Sequence, residues 1–277
     1  MNNKLNVLVA YPYMKKQIIH ELIKQEHQIN FLLDSGAFTA WKSGNPIKLD
    51  DYCKFIDALP IKPWRYFALD VIGNSKATME NYKEMVRRGY NPIPVFTHGQ
   101  PFEDIEEYYK TTDMIGCGGL ADKYGPRSLF YLKKVFQHTK GRKVHLLGYT
   151  SPEYIKFFKP FSCDSSSWTR AQRYGLCDIY VGQGKYIQLS RRQAINKPKP
   201  AIIEALRQLG FSLGDFAKED NWRKANIASI VSARSWIKYM IDADKNIKTK
   251  IFLAMGDVPN LTRALTEWKW WDASIST

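Results

Sequence analysis

Three aspartates stand where an apolar run gives way to polar residues. Asp34 ends INFLLD (29–34), Asp70 lies in RYFALDVI (65–72) and Asp164 ends PFSCD (160–164). A carboxylate at the tip of a buried strand costs free energy unless a turn or a reaction uses it. Other runs end on groups of interest too. His98 and Gln100 follow NPIPVF (91–96), Gly118 and Gly119 close DMIGCGG (113–119), and Gly148 closes KVHLLG (143–148). Each of these alone reads as a turn residue. Three aspartates and a histidine in register read as a pocket in which like charges push pKa values apart, so that one acid stays protonated while another ionises. Two carboxylates with separate duties suit substitution at an acetal carbon. One attacks the sugar carbon and forms a covalent glycosyl intermediate, and the other handles the proton of the leaving base. A glycine pair lets a flat base approach backbone N–H groups that can bond its carbonyl.

Positioning these groups requires a particular arrangement of elements. Seven short apolar runs recur along the chain, beginning with LNVLVAY (5–11), and DIYVGQG (178–184) supplies an eighth. Amphipathic segments lie between them, among them SKATMENYKEMVRRG (75–89) and GPRSLFYLKKVFQHT (125–139). Near-continuous apolar strands alternating with helices predict a parallel sheet covered on both faces. Eight units predict an α/β fold of the (β/α)8 TIM-like type, whose strands end on one rim where barrel enzymes carry their catalytic residues. Residues 1–184 are then the barrel core with the site. Residues 185–277 are a basic, proline-bearing loop (185–200) and helices near 201–209, 222–243 and 259–271, packed on the barrel in the same domain. Trp222, Trp236, Trp268, Trp270 and Trp271 in this last third read as helix-packing residues, with base-stacking platforms as the sharper alternative.

The 277 residues carry 41 Lys and Arg against 27 Asp and Glu, a formal charge of +14. Such a balance points to polyanionic partners, nucleic acid before membrane surface, against the plainer reading of a basic enzyme with a solvated surface. Cys53, Cys117, Cys163 and Cys177 are far apart and form no C-x-x-C pair, which argues against a zinc knuckle or a disulfide framework and fits reduced thiols in a cytoplasmic setting. No segment has the length of a membrane span, and the first apolar run is too short for a signal-peptide core.

Four stretches in order resemble the tRNA-guanine transglycosylase superfamily over residues 29 to 175. LLDSGAF (32–38) resembles its D-S-G-G-F segment and MIGCGGLADKYG (114–125) its G-G-L-A segment. VHLLGYTSPEYI (144–155) resembles H-L-M-G-x-G-x-P-E, and FSCDSSSWTRAQRYG (161–175) the F-D-C-V-x-P-T-R stretch that carries the nucleophile. The likeness is greatest to the smaller, DNA-acting branch, the 7-deazaguanine DNA transglycosylases of phages and bacterial modification clusters. The resemblance implies that Asp164 is the nucleophile at the deoxyribose anomeric carbon and Asp34 a general acid/base near the base, with Ser35 beside it. It implies that Asp70 reads the guanine edge through N1 and N2, donors that a carboxylate can accept. His98 and Gln100 become candidates for the base carbonyl, and Gly118 and Gly119 for a backbone donor. DNA and a free 7-deazaguanine are the implied partners, with no cofactor and no metal.

The departures from the family pattern are also informative. The tRNA enzymes bind structural zinc through a C-x-C-x-x-C cluster and a later histidine, whereas no cysteine follows Cys177 here and no histidine follows His145. The zinc subdomain is therefore not expected. In its place stands a basic stretch: residues 168–200 hold Arg170, Arg173, Lys185, Arg191, Arg192, Lys197 and Lys199 against Asp178 alone. These basic residues are expected to grip phosphates. Trp41, Trp168 and Tyr174, close to the motifs, are candidates for holding a flipped base. An enzyme acting on RNA, a glycosidase that only excises bases, and a non-enzymatic barrel that binds nucleic acid are the competing readings. The sequence assigns no oligomeric state.

Overall fold

A computed structural model describes residues 4–120, 125–190, 199–217, 227–254 and 258–275. Eight parallel strands form one sheet: β1 (Leu5–Ala10), β2 (Ile29–Asp34), β3 (Arg65–Tyr66), β4 (Val95–Phe96), β5 (Met114–Cys117), β6 (Lys143–Leu146), β7 (Ser162–Ser165) and β10 (Lys250–Ala254). Their order is β3-β2-β1-β10-β7-β6-β5-β4. The sheet curls, and helices flank it. One parallel bridge, Phe67 with Ile93, spans its two edges. There Ile93 N–H donates to Tyr66 O and Ala68 N–H to Ile93 O, both at 2.8 Å. No continuous ladder joins β3 to β4, so the fold is compatible with a TIM-like barrel but is not closed like one.

Alternation along the strands separates two cores. Leu5, Val7 and Val9 on β1 and Phe31 and Leu33 on β2 face the surrounding helices, in one large apolar cluster. Leu8, Leu32, Phe67, Ile93, Val95, Met114 and Phe252 form a second cluster on the concave side. Both faces are dry, which explains why the strands read as unbroken apolar runs. Full burial of Phe67 and Phe252 contributes roughly 2–3 kcal/mol each. Gly116 on β5 makes room for one of these rings, since a Cβ there would stand 2.9 Å from Phe67 Cε1. Trp64 stacks on Phe252 and Phe161 at the amino-terminal end of the concave side.

The expected eighth strand is a correction. Residues 176–190 form an antiparallel hairpin, β8 (Leu176–Gly182) and β9 (Lys185–Ser190), outside the parallel sheet. The eighth parallel strand is β10, which pairs β1 on one side and β7 on the other. The sheet is therefore not confined to residues 1–184, and six residues of the expected loop 185–200 are strand. Of the rest, 191–198 lie outside the described residues, and Pro200 opens a helix. The hairpin turns at Gly182-Gln183-Gly184 and packs on a long helix, Ile227–Ile247, through Tyr186 stacked on Trp236.

That helix also anchors the carboxyl-terminal helices. Its buried Arg234 donates from Nη1 to Leu209 O (2.6 Å), from Nε to Ala264 O (2.7 Å) and from Nη2 to Thr266 O (2.9 Å). Helix ends leave such carbonyls unpaired, and one guanidinium here collects three of them. Burial lowers its pKa to about 10, so it stays charged at neutral pH. Trp236, Trp268 and Trp271 are buried and serve packing; Trp222 lies outside the described residues. Among the described residues no helix is long and apolar enough to cross a membrane.

Candidate functional site

The carboxyl ends of β2, β3 and β7 bring Asp34, Asp70 and Asp164 together. Asp34 is the last residue of β2, where the chain must turn. Its Oδ2 accepts from Gly36 N–H (3.0 Å), and Gly36 adopts φ +77° with Pro12 packed directly over it. Ser35 Oγ donates to Asp70 Oδ1 (2.9 Å) and accepts from Ala37 N–H (3.3 Å), so the loop after β2 holds the acid that follows β3. Helix Ser75–Arg87 shapes the other side of that acid. Asn81 Nδ2 donates to Leu69 O (3.0 Å), and Thr78 Oγ1 accepts from Val71 N–H (2.9 Å).

Asp164 is gripped from β6. Its Oδ1 accepts from Gly148 N–H (2.8 Å) and lies 3.1 Å from His145 Nε2. The other imidazole nitrogen, Nδ1, is 2.8 Å from Ser162 Oγ. With Nε2–H directed at Oδ1 and the Ser162 O–H at Nδ1, one tautomer satisfies both contacts. Both contacts fall on Oδ1, which leaves Oδ2 as the oxygen that can turn toward a reactant. His145 is wholly buried between Phe67 and Phe252. Its part in the site escaped the sequence reading. The available signal was a histidine inside an apolar run, two residues ahead of Asp164's counterpart position on the neighbouring strand.

Burial raises two of the acids. Burial, then the charges of Asp70 and Asp164, raise the Asp34 carboxyl from 3.8 to about 7 against two backbone N–H bonds. Burial also raises Asp70, opposed by the bond from Ser35. At neutral pH Asp34 is therefore partly protonated and can give or take a proton. Asp34 and Asp70 are half-buried, whereas Asp164 is only 6 % exposed.

The remaining candidates divide. Gln100 is buried with its amide committed to its own loop: Oε1 accepts from Thr97 N–H (2.7 Å) and Nε2 reaches Asp104 and Tyr108 (3.2 Å each). His98 is exposed, with its ring edge-on to Tyr131. Gly118 N–H donates to Phe96 O (2.9 Å), which leaves Gly119, exposed at φ +73°, as the glycine with room for a ligand. Arg170 is 3.7 Å from the buried Asp178, and Lys185 is exposed at the hairpin turn. Arg191, Arg192 and the side chain of Arg173 lie outside the described residues. Trp168 is buried with its Nε1–H on Ala254 O (3.1 Å), so it secures the end of β10; Trp41 and Tyr174 are exposed. Clefts elsewhere lie beside Tyr82 and Glu107 and between β8 and helix Pro200–Gln208. Comparison of the chain with protein-family models, with curated proteins and with solved structures found no match.

Proposed function

We propose that this chain is a base-exchange transglycosylase that replaces guanine in DNA with a 7-deazaguanine. The observation that carries the reading is the divided state of the rim acids. Asp34 is poised near neutrality, while Asp164 has one oxygen fixed by His145 and Gly148 and the other unfixed. In the first half-reaction Asp164 Oδ2 attacks C1′ of the deoxyribose and the C1′–N9 bond breaks. The departing guanine takes a proton from Asp34. In the second, the incoming base gives its N9 proton back to Asp34, N9 attacks C1′ and the ester to Asp164 breaks. Asp70 accepts from the N1–H and N2–H edge of either base. The reading treats the curled sheet as a (β/α)8 barrel, supported by the strand order and the bridge across its edges. It requires the rim to part, because Asp164 is 6 % exposed, and it requires the target base to leave the stack.

The test is incubation with labelled guanine and DNA or tRNA, followed by nucleoside mass spectrometry with a panel of 7-deazaguanines. Exchange into DNA is expected, with a covalent protein–DNA species that Asp164→Asn abolishes while DNA binding persists. Exchange by Asp164→Asn would sink the assignment. Label in tRNA alone would move the activity to RNA, and abasic sites without incorporation would make the chain a glycosidase.

A further inference from the structure

A second feature lies beside the acids and takes no part in the exchange steps. Helix Ala37–Ser43 leaves the rim directly after Asp34, Ser35 and Gly36. On it Phe38 is 52 % exposed and Trp41 59 % exposed, with ring centroids 5.9 Å apart and planes 32° from parallel. Lys42 Nζ lies 4.8 Å from the centre of the Phe38 ring. Exposed aromatic side chains occur elsewhere on this protein, but these two are adjacent and stand beside the polar cluster, where their faces are open to a flat ring.

The charge around this pair narrows the occupant. The turn Tyr11–Tyr13 after β1 touches the start of the helix, where Gly36 packs against Pro12. Residues 11–20 and 35–49, the two rim segments so joined, contain Lys15, Lys16, Lys42 and Lys48 and no acid. All four lysines are exposed, and so is Tyr13. A surface of aromatic faces beside exposed ammonium groups fits a polymer of flat rings joined by phosphates. Every nucleobase has a face to stack, and each lysine near the chain can replace a condensed counterion.

We infer that Phe38 and Trp41 form a stacking platform for the unpaired bases of a single-stranded nucleic acid, with the surrounding lysines on its phosphates. The platform rests on the proposed exchange reading only for its place in catalysis, where it would hold the nucleotides flanking the extruded base. Its position differs from the basic stretch 168–200, so the two surfaces can be separated by mutation.

The experiment is fluorescence anisotropy of labelled twelve-residue dT and rU strands and of a DNA duplex, without any deazapurine. Wild type is compared with Phe38→Ala, Trp41→Ala and Lys42→Ala over a range of salt, with thermal melts to check folding. Loss of either ring is expected to weaken single-strand binding roughly five- to 150-fold without changing the salt slope. Lys42→Ala is expected to flatten the slope by about 0.7. The dT and rU arms show which polymer is preferred. Wild-type affinity in the folded ring variants, equal losses on duplex and single strand, or no binding by wild type would overturn the platform. So would sedimentation showing that the ring variants instead dissociate a dimer of this chain. A protein that stacks oligonucleotides here but exchanges no base would refute the exchange and leave the platform standing, and exchange with unaltered binding in Trp41→Ala would do the reverse.

Discussion

Replacing Asp34 with Asn should make the folded protein more stable at alkaline pH and less active. The carboxyl titrates near 3.8 in an unfolded chain and is raised to about 7 in the fold. Between those values the native state keeps a proton that the unfolded state has lost. Stability is therefore full below pH 3.8 and declines as pH rises through 7. About three units at about 1.4 kcal/mol each give a deficit of about 4 kcal/mol above pH 7. Asp34 is half-buried, and solvent screening at the rim reduces that to roughly 2–4 kcal/mol. Asparagine keeps an oxygen for Gly36 N–H and carries no charge, so it removes the deficit without opening a hole. Urea unfolding of both proteins at pH 4 and pH 8 measures the difference. Asp34→Asn should gain about 2–4 kcal/mol at pH 8 and less than about 1 kcal/mol at pH 4. Equal stability at pH 8, or the same change at both pH values, would refute the electrostatic account of the three acids. The same substitution should slow base exchange on the order of 100-fold or more, as loss of a general acid does. Such a trade of stability for activity is what a working site, as opposed to a turn, exhibits.

Three further outcomes follow from the geometry. His145→Phe keeps ring packing against Phe67 and Phe252 but strips Asp164 of its side-chain donor, so denaturant titration should show a loss of about 2–4 kcal/mol, and Ser162→Ala only about 1 kcal/mol. Gly36→Ala forces a Cβ to within 2.2 Å of Pro12 Cδ at φ +77°, and its melting temperature should fall well below that of Gly44→Ala, where φ is +69° but nothing lies within 4 Å. Arg234→Met orphans three buried carbonyls and should cost at least about 3 kcal/mol in unfolding free energy.

The sequence displayed the strand ends clearly, because parallel strands buried on both faces have no polar alternation to blur them. INFLLD ends at Asp34 in the structure as it does in the pattern, and helix Ser75–Arg87 starts and stops within two residues of its reading. The eighth strand was hidden for a physical reason. KIFLA (250–254) is short and follows a 21-residue helix, while β8 and β9 are longer runs of 7 and 6 residues. The Gly-Gln-Gly between those two runs was the available sign of a hairpin. His145 was illegible for the converse of what made the strands clear. When both faces of a strand are apolar, periodicity does not say which side a lone histidine takes. Gln100 showed the limit of residue type, since its amide was spent on holding its own loop.

The central position of β10 has a consequence for how the chain assembles. Its two neighbours, β1 and β7, are complete some 240 and 85 residues earlier in the sequence. Until residues 250–254 arrive, each of those neighbours presents a row of unpaired amides and carbonyls to whatever strand comes near. During synthesis the growing polypeptide thus carries two open seams that only residues 250–254 can close. A ribosome stalled or terminated shortly before that point would release a species prone to join others edge to edge.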